Sequence, residues 1–230
     1  MTKTHYFSQV SLRRDILKNG KWEQLGDGGY GLHQSIWRLF PDSEQNQQRD
    51  FFYRVRENER IPGFYLLSQR VPEDRQDLWE IRTKHYEPNF ETGSRFAFSL
   101  RANPRVSRKL FQGQTKKPSK HDIFMDTKRT FREKYGQNPI GAVWQNLIQD
   151  VGAKWLTRQG ERLGFLVEMG FVNSYRKENL HKKGRQIQFG MADYEGVLSV
   201  QNPQTFHQAL FEGIGGSKSF GCGLLLIRRV

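Results

Sequence analysis

Regular patterning begins at residues 4–12, THYFSQVSL, where aromatic and β-branched side chains interleave with polar ones and predict a first strand. Residues 18–29 hold Gly20, Gly26, Gly28 and Gly29 and predict a loop. Leu32, Ile36, Leu39 and Phe40 then recur at helical spacing, one face of a helix that Pro41 stops. Two paired strands are expected over 51–55 and 64–67, turning through Ile61-Pro62-Gly63, followed by a stretch without a clear period from Pro72 to Pro88. Residues 95–101, RFAFSLR, alternate again and are expected to close this half as its last strand before Asn103-Pro104.

After a basic, linker-like stretch at 105–120, Ile140, Val143, Trp144, Leu147, Ile148, Val151 and Trp155 keep the 3.6-residue period and predict a helix over 139–156. Residues 165–175 and 186–200 read as strands flanking a basic tip at 176–185, a hairpin by pattern. Asn202-Pro203 opens another helix that carries Phe206, Leu210 and Phe211 inward and ends at Gly213, and 224–227 form a closing strand. The order strand–helix–strand–strand–unassigned segment–strand suits a ferredoxin-like unit, and the second half repeats it without sequence repetition. The expected fold is α+β, with two tandem ferredoxin-like (RRM-like) domains at 1–104 and 105–230, the first carrying the His33 helix and the second the basic hairpin and a glycine-rich loop.

Charge changes this picture from a fold to a partner. Thirty-seven Lys and Arg against 24 Asp and Glu leave a net charge of +13. Such an excess costs self-repulsion in the compact state and is most simply explained by a polyanion. It is also uneven: residues 101–134 hold eleven Lys/Arg against three acids, and residues 174–191 hold five against Glu178 alone. Both runs interleave with Phe, Tyr and His, the mix that neutralises phosphates and stacks bases. A charge run taken singly is usually a solvated face, and two of them in one basic chain favour nucleic acid. Cys222 is the only cysteine, so neither a disulfide framework nor a thiolate metal cage can be built. The first residues lack an apolar signal-like run and no stretch reaches membrane-spanning length, so a cytoplasmic protein with no membrane partner is expected.

Candidate chemistry is sparse. Residues 213–223, GIGGSKSFGCG, place five glycines around Lys218 between Ser217 and Ser219. Lys218 breaks both the Walker pattern and the dinucleotide fingerprint, so no nucleotide cofactor is expected. The segment reads either as backbone N–H groups free to approach a phosphodiester or as a tight helix-to-strand connection. The six histidines are scattered, with no HxH or HExxH spacing and no paired carboxylates, so any cutting reads as metal-free. RNA carries its own nucleophile, the 2′-hydroxyl, and a cutter then needs a base, an acid and cations. His33 could fill one proton-transfer role, with Tyr30 one turn earlier, although Tyr30 also falls on the loop after Gly28-Gly29. Spacing by itself favours packing over chemistry for a lone histidine.

Three stretches, YGLHQSIWRLF at 30–40, FSLRANP at 98–104 and GIGGSKSFGCGLL at 213–225, together resemble the CasE family. Its members are endoribonucleases that process CRISPR precursor transcripts in type I-E systems and remain in the Cascade complex. The resemblance runs nearly end to end and keeps the motif order. It implies paired ferredoxin-like domains, metal-independent cleavage at the 3′ base of a repeat hairpin without a cofactor, and retention of the crRNA beside other Cascade subunits. The family's catalytic Tyr-x-x-His falls on Tyr30 and His33, and a contributing basic residue falls on Arg38, about 140° around an ideal helix from His33. The family's glycine-rich RNA contact falls on Gly215, Gly216, Ser217, Lys218 and Ser219. A basic segment that enters the stem groove is matched by Arg176, Lys177, Lys182, Lys183 and Arg185 through position and charge. The sequence departs from the family at 18–29 and 112–136. The alternative reading is a non-catalytic RNA-hairpin-binding subunit with His33 inert. A generic RRM protein is disfavoured, because neither half carries the aromatic RNP signature.

Overall fold

The computed structural model describes residues 4–18, 34–41, 49–57, 59–108, 119–182 and 185–230, with the backbone alone at 108, 119, 180–182 and 185–187. Strand β1 (Tyr6–Leu12) leads to a short helix α1 (Arg14–Lys18) and, later, to a helical turn α2 at 34–37. Strands β2 (Phe51–Val55), β3 (Gly63–Ser68) and β4 (Trp79–His85) follow. With β1 they form one antiparallel sheet in the order β2-β3-β1-β4.

Register explains the core on its α2 face. Val10 faces Phe64 across one ladder and Ile81 across the other, and Tyr53 faces Leu66. Because side chains alternate with period two, Val10, Leu12, Phe51, Tyr53, Phe64 and Leu66 all point to one side. Ile36, Leu39 and Phe40 cover that side and are essentially inaccessible, each burial contributing roughly 1.5–3 kcal/mol. Trp37 meets Phe51 edge-on at 4.9 Å and Phe40 stacks on it at 5.2 Å, which holds α2 against β2.

The second half runs β5 (Arg95–Ala102), a small hairpin of β6 (Arg105–Arg108) and β7 (Ser119–Asp122), α3 (Ile123–Tyr135), α4 (Gly141–Leu163), β8 (Phe165–Lys182), β9 (Arg185–Val200), α5 (Pro203–Glu212) and β10 (Leu225–Arg229). Its sheet has the order β10-β5-β9-β8, again antiparallel throughout. Numbered within each sheet, both orders read 4-1-3-2, the ferredoxin-like arrangement. Phe96, Phe98 and Leu100 of β5, with Tyr194 and Leu198 of β9, pack under Trp155 and Leu156 of α4 and Phe206 and Leu210 of α5. Asn202 caps α5 by accepting from the Thr205 N–H, and Pro203 occupies the first turn, as the sequence predicts.

One expectation is corrected, and two stretches left open by the sequence gain structure. Residues 95–101 do not close the first sheet: β5 hydrogen-bonds to β9 and β10 and is the inner strand of the second. The first sheet is closed by β4, inside the segment left unassigned, where Trp79 and Ile81 are the only apolar residues of seven. Alternation reveals that a strand has an inward face, not which sheet receives it. Residues 69–78 then contain turns and no helix, because the Asp74 carboxylate accepts the N–H groups of Gln76, Leu78 and Trp79 and closes a tight loop. Finally, α3 occupies part of the stretch read as a departure from the family pattern, capped by Asp122 at its start and by left-handed Gly136 at its end.

Candidate nucleic-acid interface

The glycine-rich segment is hung on the end of β5 and clasped by the first sheet. Gly223 N–H donates to the Arg101 carbonyl at 2.7 Å, Ile214 N–H to the Gly223 carbonyl, and Gly216 N–H to the Asn103 carbonyl. From the first sheet, the Tyr53 hydroxyl donates to the Ser219 carbonyl at 3.1 Å and Arg49 Nη1 donates to Ser219 Oγ at 2.6 Å. Glycine is favoured at Gly221, whose φ of +78° strains any side chain and whose Cβ would crowd the Tyr53 ring at 3.2 Å. Gly215, at φ +85°, is likewise in the left-handed region, and its backbone packs against the Asn103 carbonyl and the Trp155 indole.

Lys218 heads a short 3-10 turn, Lys218–Phe220, after Ser217, which is held at a positive φ of 53°. Its ammonium donates to the Glu212 carbonyl at 2.6 Å and lies 5.7 Å from the centre of the Phe52 ring. Burial pulls its pKa below the usual lysine value; Glu212 opposes this, and Arg49 and Arg162 add to it. On its other side Lys218 lines a cleft of about 570 Å³ with Asn103, Arg105, Lys120, Trp155 and Arg162.

The same segment grips the base of the β8–β9 hairpin. Phe220 stacks on Phe189 at 5.4 Å beside Met191 and the buried Cys222. Asn103 Nδ2 donates to the Gly190 carbonyl at 2.6 Å. Glycine-rich segment, hairpin base and β2 edge therefore form one continuous surface, although residues 49, 103, 189 and 219 are far apart in the chain.

The expected site residues divide on this frame. Gly215, Gly216, Ser217, Lys218 and Ser219 are all part of the clasp. Arg38 is exposed just after α2, where its N–H donates to the Gln34 carbonyl at 3.2 Å. Tyr30, His33 and Lys183 lie outside the described residues. Lys182 and Arg185 pair across the hairpin at the last described register position, and Lys177 is exposed on β8. Arg176 differs from these. Its guanidinium contacts Glu57 at 2.6 Å, Glu178 at 2.8 Å and Asp193 at 3.1 Å.

Arg176 belongs to a half-buried charge network that joins the two sheets. Asp193 accepts from Arg101 at 2.7 and 3.0 Å and from Ser174 at 3.0 Å, and Arg54 of β2 approaches it at 3.6 Å. Glu57, just beyond β2, bridges Arg101 at 2.7 Å and Arg176. Burial pushes the Asp193 carboxyl up, but the hydrogen bonds and charge of Arg101, with Ser174 and Arg54, outweigh it and hold it below the usual carboxylate range. Arg49, Arg105 and Asn103 are absent from the sequence-based site. FSLRANP pointed to the position of Asn103, whereas no pattern signalled Arg49. Among the described residues no three His, Cys, Asp or Glu side chains converge as metal ligands would.

Fold and site together define a tandem ferredoxin-like protein that presents a basic hairpin and a glycine-rich clasp side by side. The chain belongs to the CRISPR-associated protein family, whose model matches residues 5–229. It is 28% identical over 208 residues to the Cascade subunit CasE of Escherichia coli K12, spanning 85% of this chain and 89% of that one. Its fold is shared with the CRISPR endoribonuclease Cse3 bound to a 19-nucleotide RNA (TM-score 0.65, 18% identity, 98% of this chain and 99% of that one). It is shared likewise with Thermus thermophilus Cse3 bound to an RNA representing a pre-cleavage complex (TM-score 0.67, 17% identity, 98% and 99%). Among the described residues no helix is long and apolar enough to cross a membrane.

Proposed function

We propose that this protein is a CRISPR repeat-specific endoribonuclease that cuts precursor RNA at the 3′ base of the repeat hairpin, without a metal, and keeps the crRNA bound as a cytoplasmic Cascade subunit. The observation that carries this reading is the convergence of the basic β8–β9 hairpin and the glycine-rich clasp on the sheet edge next to α2. A stem held along the hairpin has its base directed to that junction, in a chain whose family and CasE relative belong to CRISPR systems.

In the reaction the 2′-oxygen attacks the adjacent phosphorus as the bond to the 5′-oxygen breaks. The products are a 2′,3′-cyclic phosphate and a 5′-hydroxyl, and the proton lost by the 2′-hydroxyl is balanced by the one gained at the 5′-oxygen. His33 takes part in this proton transfer, Tyr30 orients the 2′-hydroxyl or the phosphate, and Lys218 with Arg38 stabilises the added negative charge. Lys177, Lys182, Lys183 and Arg185 hold the stem through its phosphates. Arg176, already engaged with three carboxylates, sets the hairpin's angle to the first sheet.

The test is cleavage of a repeat hairpin by the purified chain. Cutting is expected to persist in EDTA and to stop with a 2′-deoxy nucleotide at the scissile position. His33→Ala is expected to bind the hairpin with near-wild-type affinity and fail to cut it. Unchanged cutting by that variant would refute the role of His33, and a wild-type chain that binds the hairpin with at most slow, incidental cleavage would instead support a non-catalytic RNA-hairpin-binding subunit.

A further inference from the structure

We propose that Arg49 is a phosphate ligand of this site, binding one phosphodiester of the RNA beside Lys218; the inference rests on the endoribonuclease reading and deepens it. Arg49 precedes β2, and its guanidinium lies 5.5 Å from the centre of the Phe52 ring, the same ring that Lys218 approaches at 5.7 Å. Two cations thus share one aromatic side chain. Neither forms an ion pair with a carboxylate among the described residues. Elsewhere in the molecule the half-buried arginines are paired, as Arg54, Arg70, Arg101 and Arg176 are with Asp193, Asp50, Asp193 with Glu57, and Glu57 respectively.

Arg49 is half-buried, and burial pulls its pKa below the usual guanidinium value, with Tyr53 opposing. Its described contacts are a single donated hydrogen bond to a neutral hydroxyl, Ser219 Oγ, and the Phe52 ring, while Nε is buried without an acceptor. A fork of five donors is poorly used on one serine, and an unbalanced pair of desolvated cations is costly until an anion arrives. A phosphodiester supplies that charge together with oxygens that a guanidinium and an ammonium can divide between them. Lys218 also lines the cleft that holds Arg105, Lys120 and Arg162, with Glu212 as its one acidic side chain, so the lysine of the pair continues into a mainly basic groove.

The experiment measures hairpin affinity against salt concentration for the full chain, and repeats it with hairpins carrying one neutral methylphosphonate at successive positions near the cleavage site. Arg49→Ala is expected to weaken binding about tenfold and to lower the slope of log affinity against log salt by roughly 0.7–0.9, the value of one phosphate contact. One methylphosphonate position is expected to weaken wild type but not Arg49→Ala, an effect that a loop merely misplaced by the substitution would not produce. If Arg49→Ala fails to fold, Arg49→Gln, which keeps the stem over Phe52 and a donor for Ser219, carries the same expectation. An unchanged salt slope, or equal sensitivity of variant and wild type at every position, would overturn the assignment while leaving the nuclease reading intact. A wild-type protein that neither binds nor cuts the hairpin would overturn both.

Discussion

Replacing Asp193 by Asn tests whether the charge network between the sheets is a structural joint. The carboxylate and the Arg101 side chain are 12% and 6% exposed, and the Arg54 side chain is 12% exposed. Removing the negative charge leaves Arg101 with Glu57, itself 43% exposed, and leaves Arg54 with no ion pair among the described residues. Breaking a buried pair from one side typically costs about 3–5 kcal/mol, because the remaining charge stays desolvated. For a chain of this size each kcal/mol shifts Tm by about 2–4 °C, so Tm is expected to fall by roughly 6–20 °C at pH 7. The sign with pH follows from the lowered pKa of Asp193. A carboxylate depressed in the folded state stabilises fully above its unfolded value of about 3.9 and loses that contribution as pH falls through the folded value. The gap between wild type and variant should therefore narrow on acidification. Thermal melts from pH 3 to 7 measure both effects, with Asp150→Asn as control, since its pair with Lys154 is exposed on both sides and is worth roughly 0.5 kcal/mol or less. A loss under about 1 kcal/mol at pH 7, or a gap that widens in acid, would refute the argument.

Two further outcomes follow from the clasp. Asn103→Ala removes the buried donor to the Gly190 carbonyl and is expected to cost about 1–3 kcal/mol in urea unfolding, with a midpoint equal to wild type counting against it. Burial pushes the Cys222 thiol up to about 12, so Ellman's reagent at pH 8 is expected to label it only as the protein unfolds; rapid labelling of the native chain would show that the clasp opens.

Much of the fold is legible in single segments. The period of Ile148, Val151 and Trp155 predicts α4, the alternation in THYFSQVSL predicts β1, and Asn202-Pro203 marks the start of α5. Helix α3 escapes because its buried residues are Ile123 and Phe124 at its very start while its remainder is mostly polar or charged, although Asp122 and Gly136 mark both ends. Strand β4 escapes because five of its seven residues are polar or charged, and its place depends on ladder bonds to β1 rather than on a buried face. The glycine-rich segment is legible as a motif, yet what it touches is not: Arg49 and Tyr53 are about 170 residues away in sequence.

By itself, then, the sequence determines the α+β class, the two basic runs and the glycine-rich loop, because period, charge and backbone freedom are properties of neighbouring residues. Only the tertiary structure decides that β5 belongs to the second sheet, that Arg176 is bound into an ion network, and that Arg49, with no carboxylate partner among the described residues, stands beside Lys218. Those facts depend on which distant groups meet and on how far each is withdrawn from water. Arg176 and Arg49 differ here because one faces Asp193 and Glu57 and the other faces Phe52 and a serine.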